Sequence, residues 1–225
     1  IDVIMGRHAG FLTAATALGK QRDDDGPHLI YMPERGVSME KFLGDVEGVY
    51  KKLGRCVVAV SEGMCDVDHV TWTEKVVKQN ERDSHGNVQL SGTGALADFL
   101  AGQIKEKLKI KRVRADTFGY LQRSFAGLQS PVDAKEARRC GRQAVKYAMS
   151  KISGSVAMKR LANGADYKVG LFCTELSSVA EKTKSMPDEY INDQGNGITQ
   201  AFVEYAMPLT GPLPKTEYIG NYPKI

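Results

Sequence analysis

Residues 111–124, Lys-Arg-Val-Arg-Ala-Asp-Thr-Phe-Gly-Tyr-Leu-Gln-Arg-Ser, concentrate groups that could bind an anion. Arg112, Arg114 and Arg123 bring guanidinium groups, planar forks of donors that match phosphate oxygens, and Tyr120 adds a neutral hydroxyl donor. A basic alternating strand over 111–116 that runs into the Gly119 turn would set Tyr120 and Arg123 at a sheet edge; the alternative is a strand end with solvated arginines. A second candidate is Met5-Gly6-Arg7-His8-Ala9-Gly10, between a short apolar run and an alanine-rich helix from Phe11 with Gly19 just past its end. Strand, glycine turn and helix start offer free N–H groups to an anion or hydroxyl; the alternative is close packing of the turn. A third is Ser61-Glu62-Gly63, where Glu62 either accepts from sugar hydroxyls or caps a loop.

Positioning these groups takes a particular set of elements. Residues 28–32 read as a buried strand. Ser38 then caps a helix whose stripe is Met39, Phe42, Leu43, Val46, Val49, Tyr50 and Leu53, closed by Gly54. The apolar run 56–60 reads as a strand covered on both faces and ends directly before Glu62. This alternation predicts an α/β fold, an open and mostly parallel sheet with helices on both faces, which binds ligands beyond the carboxyl ends of its strands. Residues 64–92 read as an insertion or mobile loop with β-formers at 70–77, and 95–108 as an amphipathic helix. Asp133-Ala134-Lys135-Glu136 reads as a capping box opening a long helix. Its small face, Ala137, Cys140, Gly141, Ala144, Val145 and Ala148, implies close packing on a sheet, and Gly154 ends it. Strands at 155–160 and 167–173 flank Asn163-Gly164 as a hairpin. From Met186 the tail shows one helical stretch, 198–206; Pro208, Pro212, Pro214 and Pro223 predict an extended surface strap.

Composition narrows the function classes. With 225 residues, 26% charged and a net charge of +4, nothing calls for a nucleic acid or an anionic membrane as partner. Cys56, Cys65, Cys140 and Cys173 are dispersed, as expected of reduced, buried thiols in a cytoplasmic protein. No apolar run approaches a membrane span. Asp23-Asp24-Asp25 reads as a solvated turn rather than a metal site. The first residue is Ile1 rather than Met, which points to a piece of a longer protein.

In order and approximate spacing, Met5-Gly6-Arg7-His8-Ala9-Gly10, Val60-Ser61-Glu62-Gly63-Met64-Cys65-Asp66 and Phe118-Gly119-Tyr120-Leu121-Gln122-Arg123 resemble the phosphofructokinase family. The likeness runs from about residue 1 to residue 179. It implies that Met5, Gly6 and Arg7 form the turn holding the sugar of fructose 6-phosphate and that Glu62 accepts from a fructose hydroxyl. Tyr120 and Arg123, within the run that includes Leu121 and Gln122, would grip the 6-phosphate. Arg114 resembles the arginine that reaches this phosphate from a neighbouring subunit, which implies a homo-dimer or tetramer with shared sites. Tyr120, Ser124-Phe125 and Leu90-Ser91-Gly92-Thr93-Gly94-Ala95-Leu96 look like the pyrophosphate-dependent branch; the ATP-using branch usually has histidine at the Tyr120 position and Gly-Gly after the arginine. The family's donor loop, Gly-Gly-Asp-Asp stretch and catalytic aspartate would all lie upstream, with the Mg2+ ligands. The resemblance therefore implies three segments: a sugar-phosphate domain over 1–124, a helix and hairpin over 125–185 belonging with a missing donor-binding domain, and a strap over 186–225. This chain alone is expected to be inactive and to leave apolar surface exposed around the hairpin. An ATP-dependent enzyme and a non-catalytic regulatory subunit are the other readings.

Overall fold

Four short strands, β1 (Asp2–Ile4), β2 (Leu29–Tyr31), β3 (Val58–Ser61) and β4 (Asp116–Thr117), form a parallel sheet in the order β2-β3-β1-β4. The computed structural model describes residues 1–76, 94–215 and 217–218. In β1–β3, successive side chains alternate between two cores, as strand geometry requires. Val3, Leu29, Tyr31, Val58 and Val60 face one core, which is closed by Phe42 and Val46 of α2 (Met39–Leu53) and Leu96, Leu100 and Ile104 of α4 (Ala95–Leu108). Ile4, Ile30 and Ala59 face the other core, closed by Ala14 of α1 (Phe11–Ala15), Phe202 and Ala206 of α7 (Gln200–Thr210), Met186 and Ile191. The sheet is thus parallel and covered on both faces, as expected, but of the apolar run at 56–60 only Val58–Val60 enter the strand, with Cys56 half-buried and Val57 exposed before it.

The ends of α2 follow local chemistry. The Ser38 hydroxyl accepts from the Lys41 N–H, and Gly54 adopts the left-handed conformation (φ 68°) that returns the chain toward β3. Elsewhere the elements depart from the pattern-based expectations. The basic run 111–116 is not a full strand: Lys111 and Arg112 stay exposed, and only Asp116 and Thr117 pair with β1. Of the β-formers at 70–77, residues Trp72–Val76 form a short helix, α3, whose Thr73 is buried. Residues 64–66 and Thr73 are buried, Lys75 is ion-paired to Asp66, and residues 67–70 and 74–76 are exposed. The remainder of the expected insertion, 77–92, lies outside the described residues.

After the short helix α5 (Leu121–Ser124), the long helix is α6 (Pro131–Met149). Its cap is Ser130 rather than Asp133: the Ser130 hydroxyl accepts from the Asp133 N–H, and Pro131 occupies the first turn, where it forfeits no hydrogen bond. The helix stops at Ser150, before Gly154. The expected packed face of α6 is open, because Ala137, Gly141, Ala144, Val145 and Ala148 are all exposed. The strands β5 (Ser155–Ala162) and β6 (Lys168–Thr174) pair antiparallel around Gly164 (φ 59°), with a bulge between Arg160 and Ala162. In the tail, α7 carries Pro208 inside its last turn instead of ending before it; the Thr210 hydroxyl donates to the Met207 carbonyl there. Residues 186–206 therefore supply core rather than a surface strap.

Candidate functional site

Three loops leave the carboxyl ends of β1, β3 and β4 side by side, the position at which open parallel sheets bind ligands. The first turns sharply at Gly6, whose φ of 146° suits glycine and where a Cβ would stand 2.6 Å from the Ala9 carbonyl oxygen. The second is locked to the first by Ser61, which is fully buried. Its hydroxyl donates to the Gly6 carbonyl at 2.5 Å and accepts from the Gly63 N–H at 3.1 Å. Gly63 in turn lies against the backbone of Arg7, where a Cβ would fall 1.9 Å from the Arg7 carbonyl oxygen. The third loop is tied to β1 by the Phe118 N–H, which donates to the Val3 carbonyl at 3.0 Å, and turns through Gly119 (φ 54°) into α5.

These ties bring Met5, Gly6, Arg7, Glu62, Tyr120 and Arg123 around one open cavity of about 320 Å3, which His8 also lines. Within it the Gly6 N–H points to Glu62 Oε1 at 3.4 Å, so the carboxylate faces the glycine turn. Two guanidinium groups, an imidazole and a phenol thus share a cavity with a single carboxylate. That combination suits a ligand with an anionic end and a hydroxyl-bearing end.

The other expected site residues lie elsewhere. Leu121 is 59% exposed and does not line the cavity; Gln122 folds back, its amide donating to the Gly119 carbonyl at 3.0 Å. Arg114 stands at the opposite, amino end of the sheet, with Arg55, Arg112 and Tyr50 around a separate cavity of about 290 Å3. Within one chain it does not meet Arg123. His8 and Ser61 were not among the expected site residues. His8 had a signal, since it follows Arg7 inside a chosen motif. Ser61 had only its place before Glu62, and its role depends on a residue 55 positions away.

Cys65 sits close by, its thiol 3.8 Å from His69 Nδ1. Burial, with Asp66 and Glu34 nearby, pushes the thiol's pKa up, which disfavours the reactive thiolate. All four cysteines are free, but only Cys65 is buried; Cys56, Cys140 and Cys173 are half-buried, contrary to expectation. Among the described residues, no group of three or more His, Cys, Asp or Glu side chains could hold a metal ion, so none is assigned as a magnesium ligand. Asp25 belongs to a turn, as expected: it accepts from the Gln21 and Arg22 N–H groups, and its neighbour Asp24 pairs with Arg55. No helix among the described residues is long and apolar enough to cross a membrane.

Residues 2–148 match the family model described as Phosphofructokinase. A pyrophosphate–fructose 6-phosphate 1-phosphotransferase of Rhodospirillum rubrum is 54% identical over 212 residues, covering 94% of this chain and 52% of that protein. One of the same name from Xanthomonas campestris is 36% identical, covering 91% and 47%. The crystal structure of a pyrophosphate-dependent phosphofructokinase from Marinobacter aquaeolei superposes with a TM-score of 0.73 at 29% identity, covering all of this chain and 50% of that one. The chain thus spans about half the length of the relatives it matches.

Proposed function

The chain belongs to the phosphofructokinase family, and from that premise we propose that it is the acceptor-binding portion of an enzyme that phosphorylates the 1-hydroxyl of fructose 6-phosphate from pyrophosphate, reversibly, giving fructose 1,6-bisphosphate. The observation that carries this reading is the convergence of Arg7, Glu62, Tyr120 and Arg123 on one cavity at the carboxyl ends of β1, β3 and β4. A sugar phosphate is dianionic at one end and rich in hydroxyls at the other, and the cavity lining offers both two guanidinium groups and one carboxylate. Arg123 and Tyr120 take the 6-phosphate. Glu62 accepts from a sugar hydroxyl, and the Met5-Gly6-Arg7 turn presents backbone to the ring.

Phosphoryl transfer depends on positioning and charge stabilisation more than on covalent chemistry by the protein. The role of these residues is to fix the acceptor and shield its charge; the donor site, the base for the 1-hydroxyl and the Mg2+ ligands are assigned to the rest of the protein. In this reading residues 1–124 form the sugar-phosphate domain. Residues 125–185 pack against the donor-binding part, and 186–225 form a C-terminal segment. Arg114 completes a neighbouring subunit's phosphate site, which calls for a homo-dimer or tetramer, and the enzyme works in the cytoplasm. Pyrophosphate is preferred as donor because relatives of that name, the two above among them, cover the chain nearly end to end.

The test is steady-state kinetics on the full-length protein. Arg123→Ala removes a charge-assisted contact worth about 1.5–3 kcal/mol, so KM for fructose 6-phosphate should rise roughly tenfold to a hundredfold while KM for pyrophosphate stays put. An unchanged sugar KM rejects the assignment. Turnover with ATP but not pyrophosphate moves the donor to the other branch, and no turnover with either donor favours a regulatory subunit.

A further inference from the structure

We propose that Glu34 is a positioning residue that fixes the glycine elbow of the acceptor site to the C-terminal segment. The proposal deepens the acceptor-site reading above and rests on it. Glu34 lies three residues past β2, outside the cavity. Its Oε1 accepts two backbone N–H groups, from Gly10 at 3.0 Å and from Met186 at 2.9 Å. Gly10 caps the start of α1 and closes the elbow that begins at Met5; Met186 opens the stretch that buries Ile191, Phe202 and Ala206 against the sheet. One oxygen atom therefore joins segments 24 residues before and 152 residues after its own.

The surroundings leave little freedom at this joint. A Cβ at Gly10 would stand 2.6 Å and 2.7 Å from the Met32 side chain and 2.8 Å from Glu34 Oε2, so the elbow's exit lies flat on the residues after β2. Oε2 is buried and, among the described residues, has no hydrogen-bond partner. A buried carboxylate oxygen left without a donor costs stability. A side chain that carries this cost is poorly explained by stability alone; its gain is the seat of two chain segments whose other contacts, such as the Phe11 and Tyr205 rings at 5.6 Å, are apolar and set no hydrogen-bond register. The neighbouring Arg35 shows the contrast. It grips Asp188 in a bidentate pair at 2.7 and 2.8 Å, holding the same tail without touching the elbow. Removing Glu34 frees elbow and tail together; removing Arg35 frees the tail alone. Because Arg7 and His8 stand between Gly6 and Gly10, a loosened Gly10 moves two groups that line the cavity.

The experiment compares Glu34→Ala, Glu34→Gln and Arg35→Ala in the full-length protein, by hydrogen exchange and by KM for fructose 6-phosphate and pyrophosphate. Glu34→Ala should speed amide exchange at both Gly10 and Met186 by roughly tenfold. It should raise the sugar-phosphate KM about fivefold and leave the pyrophosphate KM within about twofold. Glu34→Gln keeps an acceptor oxygen and should restore both readouts. Arg35→Ala should speed exchange only in the tail and leave the sugar KM unchanged. The proposal is overturned if Glu34→Ala leaves Gly10 exchange or the sugar KM at the wild-type value, or if Arg35→Ala raises that KM equally. Should the wild-type protein fail to turn over fructose 6-phosphate, the acceptor reading falls, and exchange at Gly10 alone decides whether Glu34 holds the elbow.

Discussion

β3 buries all four of its residues, whereas the seven-residue β6 buries only Val169. The parallel sheet finds cover for both faces inside this chain, one from α2 and α4 and the other from α1, α7 and the segment around Met186. The hairpin finds little: Met158, Leu161 and Phe172 are 53%, 56% and 44% exposed, and on α6 Val145 and Met149 reach 59% and 82%. Apolar side chains of the same kinds end in opposite environments because one sheet lies between two layers and the other has a single layer beside it. Exposed apolar side chains in this number suit a face that another part of a protein covers. In the reading proposed above, the cover is the donor-binding part of the protein.

The largest expected effect tests the closed side. Phe42→Ala removes a fully buried ring from the α2 core and should cost about 3–5 kcal/mol in denaturant unfolding. Phe172→Ala, made in this chain, should cost less than about 1 kcal/mol, and similar losses for the two would erase the distinction between the sheets. In the full-length protein the Phe172→Ala cost should rise to about 2–3 kcal/mol; a value that stays small means that nothing packs on the hairpin. Ser130→Ala removes the α6 cap and a tether to the Leu209 carbonyl, for about 1 kcal/mol.

The smallest effect concerns pH. Burial pushes the Asp45 carboxyl up, but hydrogen bonds from Lys41, Asn196 and Tyr31 outweigh it, and its pKa lies below the ordinary value. A lowered folded-state pKa gives stability that is present above the unfolded value, about 3.9, and is lost as the pH falls further. The melting temperature of the wild-type chain should therefore drop more steeply below about pH 4 than that of Asp45→Asn. Parallel curves would show that Asp45 gives the tail no pH-dependent hold.

Legibility from sequence followed the range of the forces at work. Ser38 and Gly54 were readable because a cap acts within one turn of its own helix. The Ser130 cap was missed because Asp133 and Glu136 imitate a capping box three residues late; Asp133 instead donates its N–H to the cap, and Glu136 is buried beneath the Tyr167 hydroxyl. Pro208 looked like a helix stop, yet packing of Phe202 and Ala206 on the sheet holds the helix through one missing N–H. Three separated motifs supplied the residues now found around the cavity, since loops at neighbouring strand ends must converge in a parallel sheet. The ties made by Ser61 and Glu34 were invisible, because each joins residues far apart in the chain and neither side chain type announces its partner. The feature at Leu90–Leu96 lies, through residue 93, outside the described residues.

The Ile30 N–H donates to the Asn196 carbonyl at 2.9 Å, so one donor on the outer rim of β2 is met by backbone that is synthesised more than 160 residues later. Until that late stretch leaves the ribosome, the nascent sheet presents an open ladder to any passing strand. A long span must then close on itself, a slow kind of step in folding. The shortness of β2, three residues, limits what can pair with it meanwhile, and a stop codon placed just before Asn196 would leave the Ile30 N–H without this partner for the life of the molecule.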